Sequence, residues 1–285
     1  MTHPMILCVG NRISAIETLY NAGYSVQVFA QRGSILEKFC AENTIQYRLM
    51  PSKSSQFISV LTELEFDVLI SAGCPFIIPV SQMSGKALFT NLHPTLLPDL
   101  QGKTPLNGVF MLNRKYIGAT FHYMNDQLDA GNIIYQTKTE LSDDMDLGLV
   151  YYVSFELEKI AFRRGWKLLQ ESEFTYCGKP QQGPSTYFNR TAEMMEADIT
   201  SITVNELLLK VKAFGIRSQG VKIFRMGSFT GIVVFSASQI INSFLQDNFS
   251  DSDPGTVLLE YDRKLLVKVR DGLVRFDIFE RKEVK

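Results

Sequence analysis

The first seventy residues carry two hydrophobic rhythms in turn. A continuous apolar run at 5–9 suits a strand buried on both faces, as strands of parallel sheets are. After the turn Gly10-Asn11-Arg12, residues Ile13, Ile16, Leu19 and Tyr20 recur at helical spacing up to Gly23, a residue type that stops helices. A strand at 25–30 follows, then a helix opened by Ser34-Ile35-Leu36-Glu37, the spacing of a capping box. A strand near 45–49, a helix near 55–64 and a strand at 66–71 complete a βαβαβαβ alternation. This predicts an α/β fold with a doubly wound, mostly parallel, Rossmann-like sheet.

Further along, strand-like runs at 116–124 and 132–137 flank the turn Asp129-Ala130-Gly131, and Pro105 is placed to open a helix at 106–113. A long helical pattern at 147–170 begins among Asp143, Asp144 and Asp146 and ends with Arg163, Arg164 and Lys167, the arrangement a helix dipole favours. Residues 174–191 read as irregular. After a helix at 204–213 come short strands at 221–224, 229–235, 256–260, 265–269 and 273–279. A first domain at 1–195 and a small β-barrel-like, OB-like domain at 196–285 are expected.

With 285 residues, 45% hydrophobic and 21% charged, the chain can bury a sizeable core. Its net charge of −1 gives no global case for a polyanionic partner. The four cysteines have no Cys-x-x-Cys spacing, and with three histidines they form no metal pattern, so free thiols and no metal are expected. No apolar run reaches the ~18 residues of a membrane span. A cytoplasmic protein is the expectation. The first turn lacks the second and third glycines of Gly-x-Gly-x-x-Gly, which disfavours a dinucleotide-dependent dehydrogenase.

The chemistry gathers between Thr90 and Gln136. Asn91 and His93, two apart at the end of an apolar strand, project to the same side. Asp129 follows in a turn; if the flanking strands are neighbours, the three side chains converge where open α/β sheets place ligands. An amide donor, an imidazole and a carboxylate suit acyl transfer. No nucleophile elbow is present, so the acyl group would pass directly to a bound amine or to water. Without the surrounding pattern, a turn asparagine and a loop histidine are the commoner reading. Arg12, at the end of the first strand, reads either as a phosphate contact for the acceptor or as a solvated surface arginine. His122, in mid-strand, reads as a structural ring held in the sheet.

The stretches NLHPTLLPDLQGKTP and IGATFHYMNDQLDAGNII, in this order, resemble the folate-dependent formyltransferases, and most of all the nucleotide-sugar N-formyltransferases. The resemblance implies that Asn91, His93 and Asp129 are catalytic and that N10-formyltetrahydrofolate is the formyl donor. It implies that the donor is held by Phe76, Ile77, Ile78, Asn125, Asp126 and Leu128. Arg12, Gly102, Lys103, Thr104, Pro105 and Tyr187 would contact the acceptor, a nucleotide-linked amino deoxysugar. Methionyl-tRNA enzymes of this family carry Arg-x-Arg-Gly after the His-Pro motif, whereas this chain has Asp99-Leu100-Gln101-Gly102. An acidic residue there disfavours a phosphodiester backbone, so nucleic acid is not the expected partner. A methionyl-tRNA formyltransferase and a formyltetrahydrofolate hydrolase remain the alternatives. A homodimer paired through an open edge of the C-terminal domain is a further expectation.

Overall fold

A computed structural model describes residues 4–83, 85, 87–226 and 231–281. The chain forms two compact units, one of residues 1–105, 115–141 and 151–188, the other of residues 106–114, 142–150 and 189–285.

In the first unit the strands are β1 (Ile6–Gly10), β2 (Val26–Ala30), β3 (Arg48–Leu49), β4 (Val68–Ala72), β5 (Leu88–His93), β6 (Tyr116–Tyr123) and β7 (Ile133–Glu140). They form one sheet in the order β3-β2-β1-β4-β5-β6-β7. The pairs from β3 to β5 are parallel, while β5–β6 and β6–β7 are antiparallel. The doubly wound alternation expected from the apolar runs is therefore present, with β1 and β4 buried along their whole length. The expected strand at 45–49 shrinks to two residues at the sheet edge, where few apolar neighbours reward further extension. A bulge interrupts β6–β7 beside His122: Phe121 faces Tyr135, but His122 faces Ile133.

Helices α1 (Ile16–Asn21), α2 (Ile35–Glu42) and α3 (Ser54–Thr62) connect the parallel strands. At the start of α2 the Ser34 hydroxyl accepts from the Glu37 N–H as expected, but the Glu37 carboxylate accepts from Gly33 N rather than from Ser34 N. Ser34 N is already committed to Gln31 O, so the reciprocal bond moves one residue upstream. Leu7, Val9, Phe29, Phe57, Leu61, Leu69, Ile78 and Phe89 form one core cluster, each large side chain contributing about 1.5–3 kcal/mol by leaving water. Helix α4 (Pro105–Met111) opens on its proline, and α5 (Leu147–Glu171) realises the long amphipathic pattern.

The second unit contains β8 (Glu196–Asp198), α6 (Val204–Phe214), β9 (Val221–Phe224), β10 (Ile232–Ile240), β11 (Val257–Tyr261), β12 (Lys264–Val269) and β13 (Gly272–Arg281). Its sheet runs β11-β12-β13-β10-β9-β8, antiparallel except for β8–β9. The expected strand at 229–235 is found from Ile232; positions 229 and 230 lie outside the described residues. Helix α6 begins with a complete capping box, Thr203 and Glu206 bonding each other's backbone. Asn107 Nδ2 donates to Ala213 O (2.7 Å) and Gln219 Oε1 (2.8 Å), joining the 106–114 segment to the end of that helix.

Candidate active site

The carboxyl end of β5 presents Asn91 and His93 on one side, as the two-residue period of a strand requires. Antiparallel pairing sets Asn91 opposite His122 on β6. Asn91 Nδ2 lies 3.1 Å from His122 Nε2, and His122 Nδ1 lies 2.7 Å from Tyr123 O. An amide nitrogen only donates and a carbonyl only accepts, so His122 is a neutral ring with its proton on Nδ1. Burial pushes its pKa from 6.5 down to about 4, the neighbouring Asp129 carboxylate opposing that shift and His93 reinforcing it. Asn91 spends one amide hydrogen on His122 and keeps the other.

His93 Nε2 donates to Leu100 O (2.9 Å), while Nδ1 lies 3.6 Å from Asp129 Oδ1. Asp129 Oδ2 accepts from the Gly102 N–H (3.1 Å), which fixes the carboxylate between the 94–105 loop and the two histidines. His122 Nε2 is 3.9 Å from Asp129 Oδ1, so Asn91, His93, His122 and Asp129 form one polar cluster in which both histidines are buried. The turn that delivers Asp129 needs a glycine two residues later. A Cβ at Gly131 would stand 1.9 Å from Tyr123 O.

The cluster opens into a cleft of about 420 Å³. Of the residues expected to hold the donor, Phe76, Ile77, Ile78, Asn125, Asp126 and Leu128 all line it; of those expected to meet the acceptor, Arg12, Gly102, Lys103 and Pro105 do. Thr104 and Tyr187 are not among its lining residues. The Tyr187 backbone instead bridges to Gln101, and more than half of its surface is exposed. Ile77 is 60% exposed beside buried Ile78, an apolar shelf suited to a flat ring. Asp126 Oδ1 accepts from Ser81 N (3.1 Å), tying the 125–128 loop to the segment that follows this shelf. Its hydrogen bonds to Ser81 hold the carboxyl below the usual range. Cys74 also lines the cleft, its thiol pushed up to about 11 by burial.

Arg12 lines the cleft, as a contact for the acceptor must, and is not a solvated surface arginine. Its Nε and Nη2 each lie 2.9 Å from a carboxylate oxygen of Glu158, Nη2 donates to Leu92 O (2.7 Å), and the guanidinium lies over the Phe155 ring. Ser14 Oγ donates to the same carboxylate (2.8 Å). Glu158 is fully buried; desolvation raises its pKa, and Arg12 and Ser14 work against that rise. Arg12 thus anchors the β1 turn to α5 and to the residue before His93, and only part of its charge faces the cleft. Sequence reasoning missed Glu158, which sits in α5 at a position indistinguishable from its other charged residues. It also missed Gln181, whose side chain reaches the Asp129 turn.

Among the described residues, no group of three or more His, Cys, Asp and Glu is placed to hold a metal ion, and no helix is long and apolar enough to cross a membrane. The arrangement offers an amide donor, a buried imidazole backed by a carboxylate, and a cleft lined by both apolar and polar residues, a combination suited to moving an acyl group between two bound molecules.

Comparison with known proteins agrees with this chemistry. Methionyl-tRNA formyltransferase of Acetivibrio thermocellus is 27% identical over 150 residues, 52% of this chain and 48% of that protein, so the match spans about half the relative's length. The fold is shared with an N-formyltransferase from Helicobacter canadensis solved with folinic acid and dTDP-3-aminofucose (TM-score 0.69, 16% identity, 96% of this chain and 99% of that one). It is shared too with HypX from Aquifex aeolicus in complex with tetrahydrofolic acid (TM-score 0.69, 17% identity, 99% of this chain and 45% of that one). The formyl transferase family model matches residues 13–164, a segment holding Asn91, His93, His122 and Asp129 together, and the chain belongs to the formyl transferase family.

Proposed function

We propose that the protein is an N-formyltransferase that moves a formyl group from N10-formyltetrahydrofolate to the primary amine of a nucleotide-linked amino deoxysugar. The observation that carries this reading is that one cleft is lined by Asn91, His93 and Asp129 together with apolar Phe76, Ile77 and Ile78 and polar Asn11, Gln31 and Lys103. The apolar shelf and the 125–128 loop fit a pterin, which needs a flat apolar contact and nearby backbone groups. The folate supplies the activated formyl group.

The chain's own residues do the rest. The second hydrogen of Asn91 Nδ2 is available for the oxyanion that develops as an amine adds to the formyl carbon. His93, oriented by Leu100 O and Asp129, carries the proton from the attacking amine toward the departing nitrogen. Burial of His93 and His122 limits the access of competing water to this exchange.

The amino-sugar acceptor is supported by the full-length fold shared with the Helicobacter canadensis enzyme and by the loop 99–102. In that loop Asp99 bonds Thr186 and Gln101 faces Asp129 O, so neither side chain is a cation offered to RNA. A second reading, formylation of methionyl-tRNA, is favoured by the sequence relative described above. Tetrahydrofolate release should be followed with dTDP- and UDP-linked 3-amino and 4-amino deoxysugars beside methionyl-tRNA, with His93→Ala as control. Turnover with a sugar nucleotide that vanishes in the variant supports the proposal; turnover with methionyl-tRNA alone overturns it. Folate loss with no acceptor present identifies a hydrolase.

A further inference from the structure

Both residues that hold His93 have backbones in the left-handed region, Leu100 at φ +57 and Asp129 at φ +53, although neither is a glycine. Such conformations are unfavourable for side chains of this kind and persist only where surrounding contacts impose them. Contacts to both come from the irregular segment 176–188, beside those of Gly102 N and Gln101 Nε2 to Asp129 and of Thr95 Oγ1 to Leu100 O.

Its first half runs beside the Asp129 turn. Lys179 and Ile133 exchange both backbone bonds at 2.8 Å, Tyr123 Oη donates to Tyr176 O, and Asn132 Nδ2 donates to Cys177 O (2.9 Å). From this ribbon Gln181 Nε2 donates to Asp129 O (2.7 Å) and to Gly131 O (2.9 Å), spanning the Asp-Ala-Gly turn. The second half runs beside the His93 loop. Thr186 Oγ1 accepts from Leu100 N (2.9 Å), Thr186 O from Gln101 N (2.8 Å), and Gln101 O from Phe188 N (2.8 Å). One segment therefore pins two left-handed residues on either side of one imidazole.

We propose that Gln181 is a positioning residue for the Asp129–His93 pair. Its carboxamide satisfies the two carbonyls that the left-handed turn leaves pointing outward, and so holds the Asp129 carboxylate at Nδ1 of His93. Two donor hydrogens on one side-chain nitrogen are needed. The role in turnover rests on the formyl-transfer reading above; the role in geometry does not.

The test uses the full chain as parent, Gln181→Ala, Gln181→Glu and, as a control, Gln182→Ala, an exposed neighbour. Three quantities are measured: kcat and KM for the accepted amine across pH, the thermal midpoint, and the imidazole ¹⁵N resonances, readily separated in a chain with three histidines. In Gln181→Ala kcat should fall on the order of 10- to 100-fold, since a misplacement near 1 Å at a reacting group costs up to that much. KM should change less than about 3-fold, the midpoint should hold, and the His93 Nδ1 resonance should move. Gln181→Glu should lose progressively more activity than the alanine variant as pH rises, because an ionised carboxylate facing two carbonyls repels them.

Unchanged kcat with unchanged His93 resonances would overturn the proposal. So would loss of activity that only tracks loss of the folded state, with a parental pH profile in what remains. If the parent turns over no amine yet His93 Nδ1 still moves in Gln181→Ala, the positioning role stands and the formyl-transfer reading falls.

Discussion

Removing the proton-binding ability of His122 should remove a defined part of the protein's sensitivity to mild acid. The folded ring is neutral, with a pKa near 4, whereas the unfolded ring titrates near 6.5. Between these values the unfolded chain binds more protons, so stability is intact above about pH 6.5 and is lost as pH falls through 4. Comparing the protons bound by each state at pH 8 and pH 5 gives a loss of about 2 kcal/mol from this residue, rising to roughly 3 kcal/mol below pH 4. Burial of the ring is the main cause, and a proton on Nε2 would in addition meet the Asn91 amide donor to donor. Urea unfolding at pH 8 and pH 5 measures the loss. His122→Asn lowers stability at both pH values because it leaves space in the core, but its loss between them should be smaller than the parent's by about 2 kcal/mol. Equal losses in parent and variant would refute the reasoning.

Other outcomes follow from the same geometry. Asn91→Ala should cost about 100-fold or more in turnover while folate binding, read by fluorescence titration, stays close to the parent's. Arg12→Met leaves a buried carboxylate with only Ser14 for company and should destabilise the fold by about 3–5 kcal/mol in urea unfolding; adding Glu158→Met should restore much of that. Gly131→Ala drives a methyl group against Tyr123 O, so circular dichroism should show a retained fold and the formyl-transfer assay a damaged rate.

The sheet was readable because burial writes itself into sequence. Runs such as Ile6–Gly10 and Val68–Ala72 are apolar at almost every position since helices cover both faces. The placing of Asn91 and His93 was readable for a related reason, the fixed two-residue period of a strand. The partner of Arg12 was not legible, because Glu158 lies 146 residues away and no local rule announces a carboxylate beneath a guanidinium. Gln181 and Thr186 were missed on similar grounds. They sit in a segment with no periodicity, correctly expected to be irregular, and their meaning lies wholly in which backbone groups they reach. The backbone pairing of Tyr187 with Gln101 was not legible either, since it joins two segments that carry no strand pattern.

The bulge beside His122 makes this hairpin sensitive to chain length as well as to side-chain identity. β7 carries one residue more than β6 needs, Ile134, between the partners of Phe121 and His122. Deleting it would restore a regular ladder and draw the chain up by one step, about 3.3 Å, so that Gly131 and Asp129 would advance past His93. A conservative apolar substitution at Ile134 can be absorbed by repacking, but a one-codon deletion cannot. Change in this hairpin is therefore expected to proceed by replacement, with its loop length held constant.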